Sequence, residues 1–277
     1  MTEQQGEVGI QELCELARVP RASYYRYLRR AAPEKAETEL RDQMQRICLE
    51  HRYYGYRRVA AELVKRGLMA SPKKVRRLMA EDNLLAIRKR KWVSTTNRSH
   101  RLPAFPNLAN LVEPDGPDQL WVADLTYLRL RSVFVFLAVV LDAWSRRVIG
   151  WALGTTLTAS LPKRALLVAI ECRRPQPGVI HHTDQGAQYA CSEYVSVLDE
   201  NQLIGSMSRP GTPWDNALCE SFIKTLKQEE IHCNRYNSIE DLRRGLEVFI
   251  DDYYNHKRLH SALQYRTPVE FETRVKE

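Results

Sequence analysis

Three acidic residues stand where a chain could build a metal-dependent site. Asp184 follows the apolar pair Val179-Ile180 and two histidines, His181 and His182, and a Gly turn comes straight after it. Beyond a Pro-Gly-Thr-Pro loop lies Glu220, with 35 residues between the two acids. Asp124 ends another apolar run, Leu120-Trp121-Val122-Ala123. Carboxylate oxygens are the ligands that hard divalent cations prefer. Two carboxylates at strand ends, faced by one from a helix, can hold two such ions, which is what cutting or joining a phosphodiester needs. A lone acid at a strand end is ordinarily a turn residue, so the set carries the reading.

The elements that must position these acids are legible around them. Runs at 120–128, 133–142 and 147–153 read as three strands joined by short turns, hence an antiparallel meander. A helix is expected over 160–173, a fourth strand over 178–182, a helix over 192–201 and a fifth strand over 203–207. This order describes an α/β fold, a mixed five-stranded sheet covered by helices on both faces. Before Glu220, Thr212 reads as a helix N-cap, Pro213 as its first position and Asp215 as its third, a capping-box spacing that makes Asp215 structural. Leu218, Phe222 and Leu226 form the apolar stripe of that helix, and Asn216, Glu220, Lys224 and Lys227 share its opposite face. A last amphipathic helix over 239–255 leads into a polar, basic tail. His181 and His182 read as strand-end histidines bonded to backbone.

Charge is divided unevenly. The chain carries +8 at pH 7, and residues 1–101 hold 23 Lys and Arg against 12 Asp and Glu, while the remainder holds 19 against 22. A basic first third on a near-neutral remainder points to nucleic acid as the partner. Within it, residues 10–30 have the pattern of a short helix-turn-helix, for which plain packing is the competing reading. Tyr54-Gly55-Tyr56-Arg57-Arg58 opens a further helix, and Ser71-Pro72 caps another that bears Lys73, Lys74, Arg76 and Arg77. A basic run over 88–101, with Lys89, Arg90 and Lys91, reads as a linker that touches DNA, and three Pro and one Gly between 106 and 117 mark a boundary. The expected division is 1–35 a helix-turn-helix, 36–101 a helical DNA-binding region with its basic linker, 102–116 a linker, 117–235 the core, and 236–277 a C-terminal helix and tail.

Six scattered cysteines, with no Cys-x-x-Cys pair, argue against structural zinc and against a disulfide framework, and read as free, mostly buried thiols. No apolar run approaches the ~18 residues that span a bilayer. The first residues lack the pattern of a secretory signal, so a cytoplasmic, nucleoid-associated location without a membrane is expected.

Longer motifs surround the acids. They are Trp121-Val-Ala-Asp-Leu-Thr-Tyr127, Leu141-Asp-Ala-Trp-Ser-Arg-Arg-Val-Ile-Gly-Trp151, His182-Thr-Asp-Gln-Gly-Ala-Gln-Tyr189, the stretch Ser206 to Glu229, and Tyr254-Asn-His-Lys-Arg-Leu-His-Ser-Ala-Leu263 with Thr267-Pro268. With these, nearly the whole chain beyond residue 10 resembles the DDE transposases of bacterial insertion sequences, second-frame products with a retroviral-integrase-like core. Ala123 and the Leu130-Arg-Ser-Val133 turn depart from the family's usual residues, and the His/Cys zinc module of retroviral integrases is absent. The resemblance implies a ribonuclease-H-like core preceded by an all-α helix-turn-helix region. It implies Asp124, Asp184 and Glu220 as catalytic acids and ligands of two Mg2+ ions, with Mn2+ able to substitute. It further implies cleavage and strand transfer at element ends, double-stranded terminal-repeat and target DNA as partners, and an assembly of at least two copies. An upstream-frame product is a further expected partner. Lys227 is then a candidate for gripping terminal phosphates, and Arg209, Lys224, Lys257 and Arg258 join the DNA contacts. Two other functions compete: a DNA-binding regulator with a vestigial core, against which the three intact acids argue, and a nuclease for RNA–DNA hybrids, against which the basic first third argues.

Overall fold

The basic first third folds into helices with narrow apolar stripes. A computed structural model describes residues 9–28, 35–84, 105–130, 133–209 and 212–273, in two compact units, 1–89 and 90–277. In the first unit, α1 (Ile10–Leu16) and α2 (Arg21–Leu28) bury Leu13, Cys14 and Tyr24. α3 (Lys35–Glu50), α4 (Tyr56–Lys65) and α5 (Pro72–Glu81) close over Met44, Ile47, Val59, Leu63, Val75, Leu78 and Met79. Ser71 caps α5 as expected, its Oγ accepting from the Lys74 N–H at 3.2 Å, with Pro72 at the first position. Arg41 on α3 ties the end of α5 down through Glu81 (2.6 Å) and Asp82.

The second unit is the sheet. β1 (Leu120–Leu130), β2 (Val133–Asp142) and β3 (Val148–Gly154) form the antiparallel meander, with a register shift between Val140 and Leu141. After α6 (Ser160–Arg173), β4 (Ile180–Thr183) returns parallel to β1. α7 (Ala187–Ala190) and α8 (Ser192–Glu200) then lead to β5 (Ile204–Met207), parallel to β4, so the order is β3-β2-β1-β4-β5. This is the expected mixed five-stranded sheet with flanking helices. Strand alternation sends side chains to two separate cores. Val122, Leu128, Val135, Leu137 and Val139 meet α9 (Ala217–Leu226) and α10 (Ile239–Glu247), while Trp121, Ala123, Ala138 and Val140 meet α6, α7 and α8.

Several boundaries differ from the sequence expectation. Residues 213–216 form a 3-10 turn, α9 begins only at Ala217, and its N-cap is Asn216 with no side-chain cap bond. α9 continues as a π-helical turn over Lys227–Ile231, and α10 continues likewise over Val248–Tyr254. Residues 236–273 are no detached tail. Leu242, Leu246, Phe249, Ile250 and Tyr254 belong to the core, and α11 (Pro268–Thr273) delivers a buried Glu272 to Arg147 (2.8 Å) and Arg173 (3.0 Å). Only Cys14 and Cys219 are buried among the cysteines; Cys172 and Cys233 are exposed, against the expectation of mostly buried thiols.

Each outer strand is met by another segment at particular residues. The Asn255 side-chain amide accepts from the Val148 N–H (3.0 Å) and donates to the Val148 carbonyl (2.9 Å) on β3. At β5, the Met207 N–H reaches the Pro106 carbonyl, and the Phe105 ring lies so close to Gly205 that a Cβ there would come within 2.9 Å of it. Among the described residues, no helix is long and apolar enough to cross a membrane.

Candidate active site

Parallel pairing aligns Trp121 with His181 and Val122 with His182. Two residues beyond Val122, where that pairing ends, β1 carries Asp124, and two residues beyond His182, just past the end of β4, stands Asp184. Each carboxylate is steadied by a nearby amide: Asp124 Oδ1 accepts from the Leu125 N–H at 2.8 Å, and Asp184 Oδ1 from the Gly186 N–H at 3.0 Å. A side chain at 186 would press on that carboxylate, since a Cβ there would lie 2.9 Å from Asp184 Oδ1.

The helix bearing Glu220 is pinned to the same place. Asn216 Nδ2 donates to the Ala123 carbonyl at 2.9 Å, one residue before Asp124, and Glu220 follows one turn later on the exposed side. Asn216 is therefore buried, and the polar face assigned to it from helical spacing gives way to a strut between α9 and β1. Cys219, fully buried beside Glu220, registers the outcome. Burial pushes its thiol well up, and the charges of Asp124, Asp184 and Glu220 push it further in the same direction. One buried sulfur thus feels all three acids. Tyr189 responds alike, raised by burial and then by Tyr194, Asp124 and Asp184.

Lys227 enters from the end of α9. Its Nζ lies 4.8 Å from the centre of the Tyr127 ring, and burial lowers its pKa while the charge of Asp124 works the other way. The two histidines stand behind Asp184; both bond side-chain hydroxyls, and His182 also meets the Asp215 backbone, the kind of partner expected from sequence. His181 Nε2 is 2.7 Å from the Tyr194 hydroxyl, and His182 bonds Ser206 (2.8 Å) and Ser208 (3.0 Å) through its two nitrogens. Burial pushes His181 down to about 3, so it is neutral.

Asp215 is structural, by a different device from a capping box. It accepts from Thr212 Oγ1 (2.7 Å), Asn107 (2.8 Å), Asn110 (3.4 Å), and the Arg209 N–H (3.1 Å) and Nε (3.4 Å). Burial raises its pKa, but these donors together hold it well below the usual carboxylate range.

The basic candidates divide. Arg258 is buried and doubly bonded to Glu229 (2.8 and 2.9 Å), which removes it from any phosphate. Lys224 and Lys257 are exposed, Lys257 pairing with Asp252 at 2.7 Å. In the first unit, Lys73 is exposed, Lys74 lies 3.8 Å from Glu37, and Arg77 pairs with Glu81 at 2.7 Å. Arg57 and Arg76 both lie over the Tyr56 ring, at 5.3 and 5.8 Å, and Arg58 lies over Tyr54. Lys89, Arg90 and Lys91 fall outside the described residues. Sequence reasoning did not single out Asp142, buried and bonded by the Asp118 and Ser145 N–H groups and the Ser145 hydroxyl; its signal was the Asp-x-x-Ser spacing.

The donor set, three carboxylates with no thiolate or imidazole among them, suits a hard oxygen-seeking cation such as Mg2+. Among the described residues, no three His, Cys, Asp or Glu side chains are drawn together closely enough to hold an ion.

Comparison with known proteins follows the two units. Models described as Integrase core domain match residues 114–213 and 202–268, and one described as HTH-like domain matches residues 35–92. A 31 kDa protein of insertion element IS600 from Shigella sonnei is 34% identical over 94% of this chain and 97% of its own length. The transposase for insertion sequence element IS904 from Lactococcus lactis is 36% identical over 88% of this chain and 98% of its own. The chain belongs to the bacterial insertion-sequence transposases. The transposase InsF of IS3A from Escherichia coli is 35% identical, over 98% and 96% of the two chains. Among solved structures, a chain of a simian T-cell lymphotropic virus intasome is 18% identical, with a TM-score of 0.49 over 83% of this chain and 74% of that one. As a transposase with an integrase core, the protein is a polynucleotidyl transferase that acts on DNA.

Proposed function

We propose that this transposase cuts DNA at the ends of its insertion sequence and joins the freed ends to a target, in a reaction that depends on divalent metal. Asp124, Asp184 and Glu220 would hold the metal, and two Mg2+ ions, or Mn2+ in their place, would supply activation of the attacking oxygen and neutralisation of the leaving one. The observation that carries this reading is the Asn216 bond to the Ala123 carbonyl, which holds the helix of Glu220 against β1 one residue before Asp124, while β4, which leads to Asp184, pairs with the start of the same strand. The chain's own part is to fix the carboxylates. Leu125 and Gly186 amides orient the two aspartates, and the Asn216 strut holds the helix of Glu220 against β1. Lys227 supplies a cation beside Asp124, suited to a DNA phosphate. Terminal repeats and target DNA as substrates, an assembly of at least two copies, and cooperation with an upstream-frame product belong to the same proposal. The exposed basic residues Arg57, Lys73 and Arg76 would make phosphate contacts from the first unit.

Substituting Asp184→Asn tests the site. Mg2+-dependent nicking of a duplex carrying the element's end is expected to fall to background while binding of that duplex is retained. Nicking that persists in the variant would remove Asp184 from the site.

A further inference from the structure

Past Val122, β1 no longer pairs with β4, and the β1–β2 hairpin carries on beyond the acids with its own side chains to cover. Register places Tyr127 opposite Phe136 and Arg129 opposite Phe134, so these four residues share one face of the hairpin. Tyr127 and Phe134 are left 47% and 54% exposed, although burial of rings this large is a main source of folding energy. They meet across the strands as a diagonal pair, centroids 5.6 Å apart and planes at 87°. Two rings at right angles make an open corner. Lys227 hangs over the Tyr127 ring at 4.8 Å and also feels Asp124, three residues upstream of that tyrosine. The corner is therefore aromatic and exposed; it lies on the face of β1 opposite to Asp124, three residues along the strand, with Lys227 as the cation that both share.

From this geometry we propose that Tyr127 and Phe134 form a stacking corner for an unpaired nucleobase of the DNA strand held at the acids. The proposal rests on the reading of the site as one that acts on DNA. A base lies flat on one ring with its edge against the other, and Lys227 takes the phosphate attached to it. Paired bases inside a duplex have both faces occupied, so the corner selects strand ends that have been opened. Because every base has a π-face, this recognition is tolerant of sequence and adds to whatever the first unit reads. A plain cross-strand pair, serving only the hairpin, would leave DNA binding unchanged.

Binding of the full chain to duplexes of one sequence decides between these. One duplex is blunt, one ends in unpaired 3′ nucleotides, and one ends in the same tail built from abasic sugars. The wild type is expected to bind the base-bearing tail about tenfold more tightly than the blunt end. Tyr127→Ala and Phe134→Ala should each abolish that preference, Tyr127→Trp should keep it, and the abasic tail should behave as the blunt end. Absence of the preference in the wild type, its survival in Tyr127→Ala, or equal binding of the abasic tail overturns the proposal. Nicking by Asp184→Asn is measured alongside. If that variant still cuts while the tail preference depends on Tyr127, the acid site is misassigned and the stacking corner stands; the reverse pattern removes the corner alone.

Discussion

Asp215 and Asp184 sit at the two ends of one stretch of chain and use the same functional group in opposite ways. Asp215 accepts five hydrogen bonds, from Thr212, Asn107, Asn110 and twice from Arg209, and its side chain is 1% exposed. Asp184 takes the Gly186 N–H on one oxygen. Glu229 resembles Asp215, bonded by the buried Arg258 and by the Tyr253 hydroxyl, and Glu272 is tied through one oxygen to Arg147 and Arg173, whereas Glu220 projects from the exposed side of α9. An acid saturated with donors is fixed as part of the fold, because every lone pair is committed and losing its partners strands a charge. An acid with few donors keeps its oxygens for a cation.

The contrast can be broken in several places. Arg258→Ala leaves Glu229 with its charge and without its partner, and should cost about 3–5 kcal/mol in urea unfolding. Neighbouring Lys257→Ala, on an exposed pair, should stay within about 0.5 kcal/mol. Equal effects would show that burial does not separate the two cations.

Acid should strip the fold through its buried groups. Burial depresses His181 from 6.5 to about 3, so the unfolded chain binds a proton that the native one refuses. Stability from this group is complete above pH 6.5 and declines as pH falls towards the folded value, by at most about 1.4 kcal/mol per pH unit. Unfolding measured between pH 7 and 4 should show this slope, and His181→Gln should flatten it.

Asp215→Asn replaces an acceptor with a group that is half donor, facing five donors, and should cost about 1–3 kcal/mol. Asp184→Asn, by removing one of three like charges around Cys219, should change stability by less than about 1 kcal/mol. Denaturation of the two variants at pH 7 compares a fold acid with a site acid directly.

What could be read in the sequence was local. Short apolar runs at 120–128, 133–142 and 147–153, separated by turns, marked the meander, and apolar spacing marked α9 and α10. Asp184 came with the end of β4, whereas Asp124, expected at a strand end, lies inside β1 opposite Val139, because the strand runs on past the apolar run to Leu130. Partners far apart in the chain were not legible. Arg258 meets Glu229 across 29 residues, and Arg147 meets Glu272 across 125, and no local pattern distinguishes such an arginine from a solvated one. His182 found Ser206 and Ser208 on and after β5 for the same reason. The capping-box reading of Thr212 and Asp215 failed because residues 107 and 110, from before the sheet, supply competing donors.

The two outer strands have a consequence for how copies of this protein meet. A five-stranded open sheet ends in two rows of backbone groups, each a template on which a second chain could add a strand. Here a single amide, Asn255, stands in for a neighbouring strand at Val148, and Phe105-Pro106 occupies the other margin at Gly205 and Met207. At these positions the sheet is closed to growth by its own sequence. Assembly on DNA must then use surfaces away from these positions.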